Sequence, residues 1–236
     1  MSIYDPLGLV VQFTIKGRIL FQEAWLLKTG WDEPISEELF LKWKWWVGEL
    51  VSITNVQVPR CYSSYLGETT STQLHIMVDA SSKAFSAVAY LRVETPDGIH
   101  VSLVLARARV APLKPLTIPK LELQAAVMGS RLAQNIKKEI QVPINSTFLW
   151  SDSQTVISWI KSDTPSPRQF VSHRIGEILE LTEVNDWRWI PSGENVADDA
   201  TRCNPEIQFS PESRWYTGPL FLQLPESHWP KETCPL

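Results

Sequence analysis

Leu149-Trp-Ser-Asp-Ser-Gln-Thr-Val-Ile-Ser-Trp159 joins an apolar run to a periodic one through a single acid, and its reading as strand, carboxylate, helix decides the fold. Phe148, Leu149 and Trp150 have the character of a buried strand. Ser151 to Ser153 are natural N-cap residues for a helix carrying Val156, Ile157, Trp159 and Ile160. An acid at the C-terminal end of a strand, beside a helix N-terminus, stands where open α/β sheets place their ligands, so Asp152 is the first candidate for chemistry. A plain capping role is the alternative, since Asp is among the commonest caps.

Upstream, Leu74 to Val78 alternates and runs apolar into Asp79. Ala84 to Val93 and His100 to Val110 complete three strands, the last two joined by Thr95-Pro-Asp-Gly98, a turn by its composition. This predicts an antiparallel meander whose first strand ends in an acid. Pro119 then opens a long helix to about Ile140, with Leu121, Ala125, Met128, Leu132 and Ile136 on its core stripe. Glu122 shares an adjoining face with Ala126, Gly129 and Ala133, small residues that let that face approach a sheet and carry the acid inward. An acid carried inward is costly unless something positive meets it.

Between Asp97 and Glu122 the chain has no acid but carries Arg107, Arg109, Lys114 and Lys120. They read either as a phosphate-contacting edge or as an edge strand guarded by positive charge. Downstream come a proline-punctuated loop at 163–167, a helix from about Gln169 to Leu181, and a last strand over Asp186 to Ile190. A short final helix bears Asp198 and Asp199. Beyond Cys203, five prolines between Pro205 and Pro230 together with Trp215 and Trp229 predict a tail that is partly ordered at best.

Residues 1–60 predict two helices, from Phe13 to Lys28 and after Pro34, the second capped by Ser36 with Glu37 and Glu38 in its first turn. Five of the eleven tryptophans (Trp25, Trp31, Trp43, Trp45, Trp46) lie here, more aromatic surface than two helices bury between themselves. Either the rest of this chain covers them or a neighbouring domain does. Residues 61–73, rich in Ser, Thr, Gly and Tyr, read as a linker.

Composition narrows the classes. A net charge of -4 argues against binding nucleic acid through bulk charge and leaves only a local basic patch. Cys61, Cys203 and Cys234 are odd in number and far apart, which fits a reducing compartment and neither a disulfide framework nor a zinc site. His75, His100, His173 and His228 show no metal-ligand spacing. The opening residues do not resemble a signal peptide, and Leu7 to Phe13 is too short to span a bilayer, so an intracellular protein, not secreted and without membrane association, is expected.

Asp79, Glu122 and Asp152 thus close three separate elements that converge at one sheet edge, and Asp198 makes a fourth. Carboxylates without His or Cys form a hard-ligand set suited to Mg²⁺ or Mn²⁺. Two such ions about 4 Å apart serve phosphodiester hydrolysis, and they relieve the repulsion among the four acids.

The elements Met77-Val-Asp-Ala-Ser81, Leu121-Glu-Leu-Gln-Ala-Ala126, Ser151-Asp-Ser-Gln154 and Asn195-Val-Ala-Asp-Asp-Ala-Thr-Arg202, in this order, resemble the ribonuclease H domain of retroelement polyproteins. Tyr4-Asp-Pro-Leu-Gly-Leu9, Gly17-Arg18, Trp31-Asp-Glu-Pro34 and Val110-Ala-Pro-Leu-Lys-Pro-Leu-Thr-Ile-Pro119 look like the Pol polyprotein of BEL/Pao LTR retrotransposons. The resemblance covers residues 4 to about 230. It implies an α/β, ribonuclease H-like mixed five-stranded sheet, three antiparallel strands then parallel strands, flanked by helices, with a small N-terminal helical region. Residues 1–60 would be the helical tail of the reverse transcriptase, 61–73 a linker, 74–202 the ribonuclease H-like domain, and 203–236 a tail leading toward an integrase.

The resemblance further implies two-metal cleavage of the RNA strand of RNA:DNA hybrids, with two Mg²⁺ or Mn²⁺ ions and no small-molecule cofactor. Asp79, Glu122, Asp152 and Asp198 match the family's metal-binding acids, and the reverse transcriptase and integrase portions of the polyprotein are implied partners. Ser153 and Gln154 match positions near the hybrid's minor groove, where 2′-hydroxyls mark RNA. Two departures stand out. Many relatives carry a His before the final helix that aids product release, whereas Trp189-Ile-Pro-Ser-Gly-Glu194 has none, so slow turnover is expected. Asp199 directly follows Asp198, which leaves the fourth ligand open between them. Two other readings are a catalytically idle fragment that binds partners through its Trp-rich helices, and a Pao-type aspartic peptidase. The peptidase lacks its expected Asp-Thr-Gly or Asp-Ser-Gly.

Overall fold

A computed structural model describes residues 3–28, 30, 32–54, 56–63, 69–162, 169–202 and 209–231. Five strands form one sheet in the order β3-β2-β1-β4-β5. They are β1 (Ser71–Ala80), β2 (Ala84–Thr95), β3 (Gly98–Val110), β4 (Ser146–Ser151) and β5 (Trp187–Trp189). β1 to β3 pair antiparallel, and β4 and β5 run parallel to β1, which is the mixed sheet expected. The order has a physical origin. Tight turns can join only antiparallel neighbours, whereas the parallel β1–β4 pair needs a crossover, supplied here by helix α4 (Ile118–Glu139).

Helix α4, with α5 (Gln154–Lys161) and α6 (Gln169–Leu181), covers one face over an aliphatic core of Leu74, Ile76, Val78, Ala87, Leu121, Ala125, Leu132 and Leu149. The small face of α4 sits tight on β1. A Cβ built on Gly129 would lie 2.5 Å from Val78 Cγ1 and 3.2 Å from Ile76 Cγ2, so only glycine permits this approach. That closeness brings the first turn of α4, and Glu122 with it, against the strand ends.

The other face is covered by the two ends of the chain. Helix α1 (Val11–Leu26) lays Val11, Ile15 and Ile19 against Ala106, Ala108 and Val88, with the Asp5 carboxylate accepting the N–H groups of Leu9 and Val10 at 2.9 Å before its first turn. Helix α2 (Glu37–Gly48), capped by Ser36 as expected, is followed by the single turn α3 (Leu50–Ile53). Trp46 of α2 stacks on Phe13 at 4.8 Å, while Trp25, Trp43 and Trp45 are exposed. Trp31 lies outside the described residues, as does the loop expected at 163–167.

The expectation of a partly ordered tail does not hold for 209–231. Helix α7 (Arg214–Thr217) and two 3-10 turns bury Trp215, Tyr216, Phe221, Leu222 and Trp229 against the sheet. The buried Arg92 donates to the carbonyls of Leu222 (2.7 Å) and Leu224 (3.1 Å) and clasps this segment. Trp229 packs edge-on to Trp150, Phe148 and His75 at 5.1–5.7 Å. Prolines preclude long helices and ladders there, but they do not preclude burial, and the aromatic anchors contribute about 0.5–1.5 kcal/mol per ring pair beyond the area they bury.

Candidate active site

Four acids reach the C-terminal end of β1 and β4 from four elements. Asp79 stands one residue before the end of β1, Glu122 in the first turns of α4, Asp152 directly after β4, and Asp198 in the 3-10 turn Val196–Ala200. Asp79 and Asp198 are buried, and Glu122 and Asp152 are half-buried. Capping of α5 falls to Ser153, whose hydroxyl accepts the N–H of Val156 at 3.2 Å, so Asp152 is not held by the helix it precedes.

Each carboxylate has its own donor. The Thr201 hydroxyl donates to Asp79, and the Ser153 hydroxyl to Glu122 at 2.6 Å. Asn195 Nδ2 donates to Asp152 at 3.3 Å and to the Val78 carbonyl at 3.0 Å. The Arg202 guanidinium meets Asp198 at 2.5 Å. Sequence reasoning missed Asn195 and Thr201 as site residues. Their signal was available, since both lie inside the Asn195–Arg202 motif quoted above. Ser81 and Ser86 fix that segment to the sheet by donating to the carbonyls of Thr201 (2.9 Å) and Ala197 (2.7 Å).

The electrostatics show that the acids sense one another. Burial pushes Asp79 up to about 7; the Thr201 hydroxyl and the Ala80 N–H oppose that shift, and the charges of Asp152 and Asp198 add to it. Burial raises Glu122 against the Ser153 hydrogen bond, with Asp152 adding to the shift. Burial likewise raises Asp198, opposed by Arg202 and reinforced by Asp152 and Asp199. Asp152 therefore acts on all three others. In chemistry the donor set fits a hard divalent cation, being all carboxylate oxygen. Among the described residues, no group of three or more His, Cys, Asp or Glu side chains is gathered tightly enough to hold a metal ion as it stands. The carboxylates share a neighbourhood, each turned to its own protein donor.

The doublet Asp198-Asp199 is divided between two arginines, Arg202 on Asp198 and Arg214 on Asp199. Arg214 binds Asp199 through two nitrogens, at 2.9 and 2.5 Å, and also donates to the Gly193 carbonyl at 2.7 Å. That bidentate pair engages Asp199, whereas Asp198 interacts electrostatically with Asp79 and Asp152. Of the expected nucleic-acid contacts, Ser153 is buried and engaged with Glu122, whereas Gln154 is exposed. Arg107 and Arg109 are exposed on β3 and flank Ala108, which pairs with Ser86, itself the partner of Asp79. They lie at the acid end of the sheet, two strands or ~10 Å across. Lys114 is exposed beyond β3, and Lys120 stands 5.2 Å over the Phe170 ring.

A five-stranded mixed sheet in this order, helices on both faces and acids at the ends of its two central strands make this an RNase H-like protein. Residues 1–153 match the family model of the Pao retrotransposon-like RNaseH-like domain, and the chain belongs to that family. Among solved structures, it is similar to the N-terminal RNase H domain of a Mycobacterium tuberculosis protein fused to maltose-binding protein, with 16% identity and a TM-score of 0.37, covering 55% of this chain and 94% of that one. RNase H1 of the archaeon Halobacterium salinarum NRC-1 follows with 14% identity, a TM-score of 0.35 and coverage of 52% and 88%. LC11-RNase H1, in complex with an RNA/DNA hybrid, has 10% identity, a TM-score of 0.36 and coverage of 53% and 88%. No curated protein matches the chain. No helix among the described residues is long and apolar enough to cross a membrane.

Proposed function

We propose that the chain is a nuclease of the RNase H type that cleaves the RNA strand of RNA:DNA hybrids, with Asp79, Glu122, Asp152 and Asp198 holding two Mg²⁺ or Mn²⁺ ions. The observation that carries this reading is the influence of Asp152 on Asp79, Glu122 and Asp198 alike, four acids from four elements in one electrostatic neighbourhood. Burying so much like charge is costly, and a divalent cation offsets that cost. When bound, such ions activate a water and stabilise the leaving oxygen of a phosphodiester.

The residues of the chain do the positioning. Asn195 orients Asp152 while tying the 196–200 turn to β1. Thr201 and the Ala80 N–H hold Asp79 through neutral donors, and Ser153, on one oxygen of Glu122, leaves the other for a ligand. Arg107, Arg109, Lys114 and Lys120 supply the basic edge for the hybrid backbone, which suits a chain whose net charge is -4. Gln154, exposed at the first residue of α5, is the candidate for minor-groove contact with 2′-hydroxyls. On the motifs quoted above, residues 1–60 are the end of a reverse transcriptase, 61–73 a linker whose last three residues already belong to β1, 74–202 the catalytic domain and 203–236 the approach to an integrase.

The test is a labelled RNA:DNA hybrid incubated with purified chain and Mg²⁺ or Mn²⁺ and resolved on a gel. Nicks confined to the RNA strand are expected, and their survival in Asp152→Asn would overturn the assignment. A second reading, a catalytically idle module that binds partners, draws on the exposed Phe21, Trp25, Phe40, Trp43 and Trp45 of α1 and α2 and on the unconverged carboxylates. Intact hybrid with both metals would favour it.

A further inference from the structure

The four acids are not held alike. Asp79, Glu122 and Asp152 are bound by neutral donors, namely the hydroxyls of Thr201 and Ser153 and the amide of Asn195. A neutral hydrogen bond engages one lone pair and leaves the rest of the carboxylate open to a cation. Asp198 is different, because its partner is a full positive charge. Arg202 Nε sits 2.5 Å from Asp198 Oδ1, and the Arg202 backbone N–H donates to the Asp198 carbonyl at 2.9 Å. The other end of the guanidinium donates to the Ser192 hydroxyl at 3.1 Å, so Arg202 bridges Asp198 to the Ser192–Glu194 turn. Its side chain is 61% exposed.

We infer that Arg202 is a placeholder counter-ion: it compensates Asp198 in the cation-free protein and must be displaced before that carboxylate can hold a divalent ion. The inference rests on the proposed metal-dependent reading of the site. A guanidinium and a divalent cation cannot both neutralise the same carboxylate edge without repelling each other, so the two compete. Exposure keeps the competition mild. A guanidinium this open to solvent is well hydrated when released, so it gives way at modest ion concentration. Arg214 does not take this role, since its bidentate pair with Asp199 and its bond to the Gly193 carbonyl fix it elsewhere. Arg202 is thus a positioning residue, keeping the 196–200 turn and its acid in place until the ion arrives.

The experiment is a Mn²⁺ titration of the full chain by calorimetry, without nucleic acid, at low and high salt. Arg202→Ala and Arg202→Gln should bind Mn²⁺ about two- to fivefold more tightly than the natural chain at low salt, with the gain shrinking at high salt. Arg202→Lys, which keeps the charge but not the planar fork, should fall between. In an Asp198→Asn background, Arg202→Ala should change nothing. Thermal unfolding of each variant checks that it is folded, and either neutral variant suffices. Unchanged or weaker Mn²⁺ binding by folded neutral variants, beside normal binding by the natural chain, would overturn the placeholder role alone. No Mn²⁺ binding by any of them would overturn the metal-dependent reading and the placeholder together.

Discussion

Two charges buried on neighbouring strands meet opposite fates. Arg92, at the end of the sheet away from the acids, is fully enclosed, and its guanidinium is satisfied by the carbonyls of Leu222 and Leu224, by Gln73 Oε1 at 2.8 Å and by Glu94, with the Trp229 ring at 5.3 Å. Asp79 is enclosed nearly as well, yet it has one hydroxyl and one backbone N–H against two neighbouring negative charges. A compensated buried charge builds structure, and an under-compensated one stores free energy for a ligand to release. The same sheet carries both, so substitutions at the two ends should differ in kind and in sign.

The largest expected effect is on activity at the acid end. Asp152→Asn, which keeps shape and removes charge, should lower hybrid cleavage by at least about a thousandfold in a single-turnover assay. Retention of activity within about tenfold would show that Asp152 is not part of the reacting site. At the far end, Arg92→Leu should leave two carbonyls and Glu94 without their donor and cost about 3 kcal/mol in urea unfolding. A loss under about 1 kcal/mol would mean that the C-terminal segment does not depend on that clasp.

Asp79→Asn should do the reverse. With its repulsive charge gone and Thr201 still able to donate, the cation-free protein should gain about 1–2 kcal/mol and raise its Tm while losing cleavage. An unchanged or lower Tm would show that the charge is not under strain. The smallest effect is in pH. His75 is fully buried, accepts the Trp150 indole N–H at 3.1 Å, and is held well below the usual histidine range by burial, with the positive charges of Arg92 and Arg188 adding to it. Below about pH 6.5 the unfolded histidine takes up a proton that the folded one refuses, so this group makes stability fall as pH falls, by up to about 1.4 kcal/mol per pH unit. His75→Gln should remove that part of the slope between pH 7.5 and 5.5, and an unaltered slope would assign the loss to other groups.

Much of this was legible in the sequence, for identifiable reasons. Alternation into Asp79, a two-residue turn at Pro96-Asp97, and the Ala126, Gly129, Ala133 face of α4 are local signals, and the structure follows them. The position of Asp152 was readable because a strand end and a cap lie within five residues of each other. What stayed hidden depends on partners distant in sequence. Asp198 and Asp199 are told apart by burial and by their partners Arg202 and Arg214, and the latter is fixed by a turn at Gly193. The C-terminal segment reads as a proline-broken tail until Arg92, more than a hundred residues earlier, meets its carbonyls. The fate of the N-terminal tryptophans is likewise divided by geometry, with Trp46 half-buried on Phe13 and Trp25 exposed.

One small contact near the start of the chain has practical weight. The Leu7 carbonyl accepts the Ala106 N–H at 2.9 Å, along the outer side of β3, and Gly8, at φ 72°, turns the backbone away from that strand. An open sheet margin is a template for unwanted strand addition, and this segment blocks part of it. A recombinant piece cut to begin at residue 74 would therefore bare that margin together with the apolar floor under α1, and self-association on purification is the expected symptom.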